Sequence, residues 1–477
     1  MLATAHGPLR ALMTALAISL CLAQLCDADT VLSEREAVLR ALRENPGLAA
    51  ARESIAAHEA AEFQAHRRPN PELSFEIEEL RFSDSPDLDT LSTDSGGSAL
   101  GRSTERIDNS AFAGAELTLS ISQKIELGRK RAKRIALADR ATQVALWDYE
   151  AQRADVIAST RHAFTQVLAG QNRAALRRQL AQVAEAASLT VRQRVQGGKV
   201  SPLQGDRADI EYAQARIALT AAERELAAWR ASLAAQWGST NSDFDSVRGD
   251  LNSVPSLPSL NKLEEAFRRN PDLARWTAEI ARRDRAVDVE RAQGIPDLTV
   301  SAGWRNTGLA DVSATRFDAG GAALSSDRSK YDDSRENSLV VGFSIPLPLH
   351  DRNRGRIREA EHRVLQASHE RSAFRAMLAE GVIRVHERLK GLSEELRILG
   401  DEVVPTATRT YEGTKDGFEQ GKFEYLSVLD AQRTLFEVRN QNLEALVAYH
   451  VGVVELERLL GSGLEDFPGA SALEESE

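Results

Sequence analysis

The chain repeats itself, and that repetition constrains its fold more than any other feature. Asn45-Pro46-Gly47-Leu48-Ala49 returns as Asn270-Pro271-Asp272-Leu273-Ala274, and Pro71-Glu72-Leu73 as Pro296-Asp297-Leu298, both 225 residues later. Leu117, Leu119 and Ile121 are matched by Leu339, Val341 and Phe343 at an offset of 222, and Gly198-Lys199, Leu203 and Gly238 by Gly421-Lys422, Leu426 and Gly461 at 223. Colinear matches at a nearly constant offset make the 477 residues two copies of one plan rather than two or three unrelated domains. Two similar coiled-coil stretches would not reproduce the proline-led strands as well. The copies occupy 29–240 and 262–463, a Ser-, Asn- and Pro-rich linker fills 241–261, and an acidic tail follows at 464–477.

Each copy runs through the same elements. A helical segment, Glu34 to Arg67 or Lys262 to Gln293, stops at prolines. Strict alternation follows: Leu73, Phe75 and Ile77 against Ser74, Glu76 and Glu78 in the first copy, and Leu298, Val300, Ala302 and Trp304 against Thr299, Ser301 and Arg305 in the second. A period of two gives a strand with one apolar face. The return strands, around Leu117–Ile121 and Leu339–Ile345, alternate likewise, and strands of about 9 to 11 residues suit a tilted membrane crossing. The segments between them, 83–111 and 308–336, read as long polar loops with net charges of −4 and −2, as on the outer face of a membrane barrel. A long helix comes next, Arg129 to Gln196 or Arg354 to Gln420, then a glycine break and a shorter helix, Gln204 to Trp237 or Ser427 to Leu460. At 1.5 Å per residue the long helix spans about 100 Å and the short one about 50 Å. One long helix therefore fits beside two half-length helices stacked end to end. Leu429, Phe436 and Leu443, and again Leu446, Val453 and Leu460, recur every seventh residue, a coiled-coil period.

Composition narrows the class. Past residue 30 no apolar run approaches the roughly 18 to 20 residues of a membrane helix, which excludes a helical pump or carrier. A net charge of −11 leaves no basic footprint for nucleic acid. Residues 1–28 read as a secretory signal peptide, with Arg10 before the apolar Ala11–Leu25 and Ala28 at the cleavage position. Cys21 and Cys26 both lie within it, so the mature chain is cysteine-free; the competing reading is a lipoprotein acylated at Cys26, against which Leu25 is a poor preceding residue.

Four strands cannot close a barrel, and lipid tolerates no open strand edges, so the strand count demands other copies of the chain. Catalysis finds no support: there is no phosphate loop, nucleophile elbow or metal-ligand pair. His362 and His369 are seven apart and His58 and His66 eight, outside metal-ligand spacing, while His350-Asp351 reads as a structural pair. No cofactor is expected.

The strand hairpins, the stretches Leu347-Pro348-Leu349-His350-Asp351-Arg352-Asn353-Arg354-Gly355 and Ile125-Glu126-Leu127-Gly128-Arg129-Lys130-Arg131, and Gly421 to Arg433 resemble the TolC family of outer-membrane efflux channels, nearest its cobalt-zinc-cadmium branch. The resemblance covers essentially the whole mature chain. It implies a mainly helical fold with membrane β-strands: a homotrimer with a twelve-stranded barrel in the outer membrane, four strands per chain, continued by a helical barrel through the periplasm of a Gram-negative cell. It implies docking on a periplasmic adaptor and an inner-membrane resistance-nodulation-division pump, and divalent metal ions as cargo, with organic toxicants left open. Two other readings stand beside it, a periplasmic coiled-coil adaptor or scaffold and, more remotely, a secreted hydrolase. An adaptor should carry one central helical hairpin rather than two copies of strand hairpin and helical hairpin.

By the same resemblance the glycine breaks are the periplasmic tips that meet the adaptor. They are Gly197-Gly198-Lys199-Val200-Ser201-Pro202-Leu203 and Gly421-Lys422-Phe423-Glu424-Tyr425-Leu426, with plain helix-hairpin turns as the competing reading. Glycine suits the reversal of the chain, and Ser201 or Glu424 would cap the next helix, serine more conventionally. Asp430 occupies the place of a channel-narrowing aspartate; its counterpart in the first copy is Gln204, with Asp206 and Asp209 the nearest carboxylates. Converging carboxylates would favour cations, unless Arg207 and Arg433 simply leave them as solvated charge. Leu127, Gly128, Pro346, Pro348, Asp351 and Arg352 mark the junction of barrel and tunnel, where Arg352, Arg354, Arg129 and Lys130 are suited to anionic headgroups or phosphates.

Overall fold

A computed structural model describes residues 31–79, 88–93, 100–107, 115–307, 312–317, 323–328 and 336–464; the signal segment, Cys26 and residues 465–477 of the tail lie outside them. The first copy runs β1 (Val31–Ser33), α1 (Glu34–Glu44), α2 (Pro46–Ala65), β2 (Glu72–Glu78), β3 (Leu88–Thr93), β4 (Leu100–Ile107), β5 (Glu116–Ile125), α3 (Lys130–Gln196) and α4 (Pro202–Ala235). After β6 (Ser246–Arg248) the second runs α5 (Leu260–Ala266), a 3-10 turn (Phe267–Arg269), α6 (Pro271–Gln293), β7 (Leu298–Thr307), β8 (Val312–Phe317), β9 (Ala323–Arg328) and β10 (Glu336–Ser344). It closes with α7 (Arg354–Ile398), a π segment (Leu399–Val403), α8 (Val404–Glu419) and α9 (Tyr425–Leu460). Two compact units emerge, one of residues 60–140 and 282–364, the other of the remainder.

In the helical unit the expected continuous helices 34–67 and 262–293 are broken, each at its Asn-Pro pair. Proline lacks the N–H a helix interior needs and pushes the preceding residue out of helical geometry, and asparagine makes the break productive. Asn45 Oδ1 accepts from Leu48 N at 3.0 Å while its Nδ2 donates to Gln236 O at 2.7 Å. Asn270 Oδ1 accepts from Asp272 N at 2.8 Å while its Nδ2 donates to Leu459 O at 3.0 Å. The repeated asparagine thus caps one helix and holds the last carbonyls of another, joining α2 end to end with α4 and α6 with α9, the stacking that the helix lengths demand. Gly238 and Gly461 complete the joints: both have positive φ, and a β-carbon would come within 2.9 Å of Pro46 and 2.7 Å of Pro271, respectively.

Small side chains let the helices approach. Ala181, Ala184 and Ala215 join α3 to α4, and Phe164, Val167, Leu168, Leu226 and Leu233 continue that seam into one core. In the second copy Leu378, Val382, Val385 and Leu389 of α7 pack on Tyr449, Val453 and Leu456 of α9. All six residues of the seven-residue series on α9 are buried. The connection between copies is anchored: β6 pairs parallel with β1, and Phe244, Val247 and Leu251 are buried in the first core. The expected single helix 354–420 is interrupted before Pro405, where Val404 N reaches back to Leu399 O, a π turn that accommodates the proline's missing donor.

In the other unit β10, β7, β5 and β2 form one antiparallel sheet in that order, so β10 and β2 are its edges. Register places Leu73, Ile121, Ala302 and Val341 in one cross-strand row and Phe75, Leu119, Trp304 and Leu339 in the next. The large apolar members of both rows are exposed. On the opposite face Ser74 and Ser120 share a hydrogen bond of 2.7 Å and Arg305 pairs with Glu116. The expected loops 83–111 and 308–336 are not wholly irregular: β3, β4, β8 and β9 form a second antiparallel sheet in the order β3-β4-β8-β9. Their Ser- and Thr-rich sequences alternate without an apolar face, so the period-two signal is missing although Thr favours strands.

Candidate functional site

The two glycine breaks share one turn geometry. Lys199 N donates to Arg194 O at 2.9 Å and Gly198 N to Val195 O at 3.0 Å; Lys422 N donates to Gly417 O at 2.8 Å and Gly421 N to Phe418 O at 3.0 Å. This double bond pattern ends a helix on a residue of positive φ, and Gly198 and Gly421 stand at φ 67° and 73°. Ser201 caps α4 by accepting from Leu203 N, whereas Glu424 makes no side-chain cap on α9. Lys199, Leu203, Lys422, Phe423 and Leu426 point to solvent.

The turns lean on each other. Val191 of α3, Ala208 of α4, and Tyr425 and Leu429 of α9 form a small apolar cluster, and the Arg194 guanidinium lies 4.0 Å over the Phe418 ring, which in turn tilts against Tyr425 at 5.8 Å. Burial, with the Asp209 charge second, pushes the Tyr425 hydroxyl up to about 12. Gly417 leaves room for the Phe423 ring, which a β-carbon would strike. At the matching positions of the first copy stand Arg194 and Val200, so the tips share a backbone and differ in chemistry.

The three aspartates differ in their partners. Asp209 accepts from Ser188 Oγ at 2.7 Å and Arg192 Nε at 3.0 Å, which hold its carboxyl below the ordinary range, the Arg192 bond most strongly. Asp206 and Asp430 are exposed, and among the described residues neither carboxylate has a partner. Asp430 stands on a groove of about 560 Å³ between α4 and α9 with Arg207, Ile210, Leu426 and Arg433. Arg433 is taken by Glu211, tying α9 to α4, a pairing that no spacing in the sequence announces.

At the strand-to-helix junction the chain turns tightly. Gly128 has φ 65°, and a β-carbon would meet Ile295 at 2.6 Å. Asp297 gathers the first copy's junction, accepting from Leu127 N at 3.2 Å, Lys130 Nζ at 2.6 Å and Lys124 Nζ at 3.2 Å. Burial alone would raise its carboxyl, but these donors together hold it low. In the second copy Asp351 accepts from Asn353 N at 2.8 Å, Asn353 Nδ2 donates to Glu290 O at 2.8 Å, and Arg352 leans on Pro348 O at 3.4 Å. Pro346 lies in the exposed extended segment that follows β10. Among the described residues no group of three or more His, Cys, Asp or Glu is placed to hold a metal ion.

A family profile described as outer membrane efflux protein matches residues 37–239 and 263–462, one match to each copy. The cobalt-zinc-cadmium resistance protein CzcC of Cupriavidus metallidurans is 31% identical over 87% of this chain and 87% of its own length. The nickel-cobalt-cadmium resistance protein NccC of Alcaligenes xylosoxydans xylosoxydans is 26% identical over 59% of this chain and 56% of its own. Among solved structures the CusC channel superposes with a TM-score of 0.66 at 16% identity, covering 90% of this chain and 92% of that one. At that identity the likeness is one of fold.

Proposed function

The chain belongs to the outer membrane efflux protein family, and we propose that it serves metal resistance, as the passive outer conduit for divalent cations delivered by an inner-membrane resistance-nodulation-division pump through a periplasmic adaptor. It is an outer-membrane efflux channel of the TolC type, built for a Gram-negative envelope. The observation that carries the metal reading is the likeness to CzcC, which extends over 87% of both chains.

Physical features support the finer points. A four-stranded sheet with an exposed apolar face and two open edges is stable in lipid only when its edges are paired, so closure by two further copies suits it. Paired tips with exposed Leu203, Phe423 and Leu426 offer an adaptor apolar contact at the helix turns. Asp430 and Asp206, whose carboxylates have no partner among the described residues, are available to line a cation-favouring constriction, and Asp209 less so because Arg192 neutralises it. The Gly128 and Asp351 turns redirect the chain from strand to helix, as a change from barrel to tunnel requires.

The test is deletion of the gene followed by a panel of sensitivities. Hypersensitivity to zinc, cobalt or cadmium, restored by the gene in trans, is expected. Hypersensitivity confined to organic toxicants would overturn the metal cargo and leave the channel intact.

A further inference from the structure

The apolar stripe of β10 continues where its pairing stops. Leu339, Val341 and Phe343 alternate along the strand, and Ile345, Leu347 and Leu349 keep that period beyond the last paired residue, Ser344. All six are exposed, Leu347 at 73% and Leu349 at 71%. Pro346 and Pro348 have no N–H to leave unpaired, so this overrun tolerates a place without a neighbouring strand. In water such a run would be an uncovered apolar patch; here it follows directly on the sheet's apolar rows, turning at Pro348, where Leu349 N donates to Leu347 O at 2.9 Å.

Arginines follow at once. Arg352, Arg354, Arg356 and Arg358 are exposed, and among the described residues no carboxylate pairs with Arg354, Arg356 or Arg358. Three of the acids nearby are committed elsewhere: Glu290 accepts from Asn353 Nδ2 at 2.7 Å, Glu359 binds Arg363 at 2.6 Å and Glu361 binds Arg291 at 2.7 Å, while Asp351 accepts from Asn353 N. At the matching helix start of the first copy Lys130 pairs with Asp297 and Lys133 with Asp288, both aspartates of the second copy, and Arg134 with Glu126, while Arg131 Nε donates to His66 O at 2.8 Å and Arg129 is exposed. The start of α7 carries four exposed arginines against the single uncommitted carboxylate of Asp351, a surplus of fixed positive charge that external anions would relieve.

We infer that this segment is a phospholipid site. Ile345, Leu347 and Leu349 lie among the acyl chains of the periplasmic leaflet, and the arginines hold the phosphate of an anionic headgroup of the phosphatidylglycerol type. Arg354 and Arg358 sit one turn apart on one face of α7, and Arg356 about 200° around it, adding charge rather than a third finger. Guanidinium suits the task because it binds phosphate oxygens in pairs. The inference rests on the outer-membrane assignment and adds a lipid preference to it.

The full chain is purified from outer membranes and placed in phosphatidylethanolamine nanodiscs with and without phosphatidylglycerol, and the lipids retained after mild release are counted by native mass spectrometry. Wild type retains phosphatidylglycerol over phosphatidylethanolamine, less so as salt rises, and inorganic phosphate does not displace it. Each arginine near an anionic surface is worth about fivefold, so R354Q/R356Q/R358Q loses on the order of 100-fold of that preference at low salt. The corresponding triple lysine variant keeps most of it. Equal retention by wild type and the glutamine variant, no preference in wild type, or displacement by inorganic phosphate would each overturn the inference. Should the glutamine variant fail to assemble, the lipid and salt dependence of wild type decides alone. Absence of the protein from the outer membrane fraction would instead refute the functional reading.

Discussion

Replacing Asn270 by alanine should cost the helical unit far more than the same change at its counterpart, Asn45. Asn270 is fully buried, and its side chain caps Asp272 N and Leu273 N while donating to Leu459 O. Losing the cap costs about 1 kcal/mol, and emptying the fully buried Asn270 site, which leaves the Leu459 carbonyl unpaired, costs about 1–3 kcal/mol more. The total is about 2–4 kcal/mol. Asn45 makes the same pair of bonds but is partly exposed, so water replaces what the truncation removes and about 1 kcal/mol is lost. N270D separates the two roles, because the carboxylate keeps the cap but cannot donate to Leu459 O. Unfolding of so large an assembly is irreversible, so the readout is the temperature at which helical circular dichroism is lost at a fixed scan rate. At roughly 2 °C per kcal/mol, N270A should fall by about 4–8 °C and N45A by about 2 °C, with N270D following N270A. Equal shifts for the two alanine variants, or full stability of N270D, would refute the claim that the repeated asparagine works by satisfying the last carbonyls of the preceding helix.

Gly198→Pro removes the N–H donated to Val195 O and forbids the positive φ, and Leu426→Asp places charge on an exposed tip; both should abolish metal resistance while trimers still reach the outer membrane, and unchanged resistance would remove the tips from adaptor docking. Asp430→Asn should weaken cation selectivity in single-channel recordings without changing assembly. The bond from Arg192 lowers the Asp209 carboxyl, so its stabilisation is complete above the unfolded carboxylate value, about 3.9, and is lost as pH falls through the lower folded value. Proteolytic nicking of the first tip should therefore rise below about pH 4 in wild type, and D209N should show at higher pH the susceptibility that wild type acquires only there.

Much of this was legible because it was written twice. The alternation at Leu73–Ile77, Leu117–Ile121, Leu298–Trp304 and Leu339–Ile345 announced the four sheet strands, and Gly198 and Gly421 announced the turns. The Asn-Pro pairs mark the repeat, yet the helix breaks they impose are hidden in the sequence, because the apolar period continues across them. The interruption before Pro405 is hidden for a related reason: a π turn absorbs one extra residue without ending the helix. The strands β3, β4, β8 and β9 gave no signal because their sequences, rich in Ser and Thr, carry no sustained apolar alternation. Least legible were the partners that decide a charged site, such as Arg192 for Asp209 and Glu211 for Arg433, since they come from neighbouring helices whose register the sequence leaves open.

If each chain supplies part of a barrel closed by its own copies, β2 of one subunit lies beside β10 of the next. Residues 31–464 contain no cysteine, so a cross-link can be introduced cleanly. Ser74→Cys in β2 is combined in turn with Ser338→Cys, Gly342→Cys or Ser344→Cys in β10, and outer membranes are oxidised and run on a non-reducing gel. Covalent dimers and trimers are expected for at least one pair, with nothing larger than three chains. Monomers throughout, or a ladder extending beyond three, would contradict that closure.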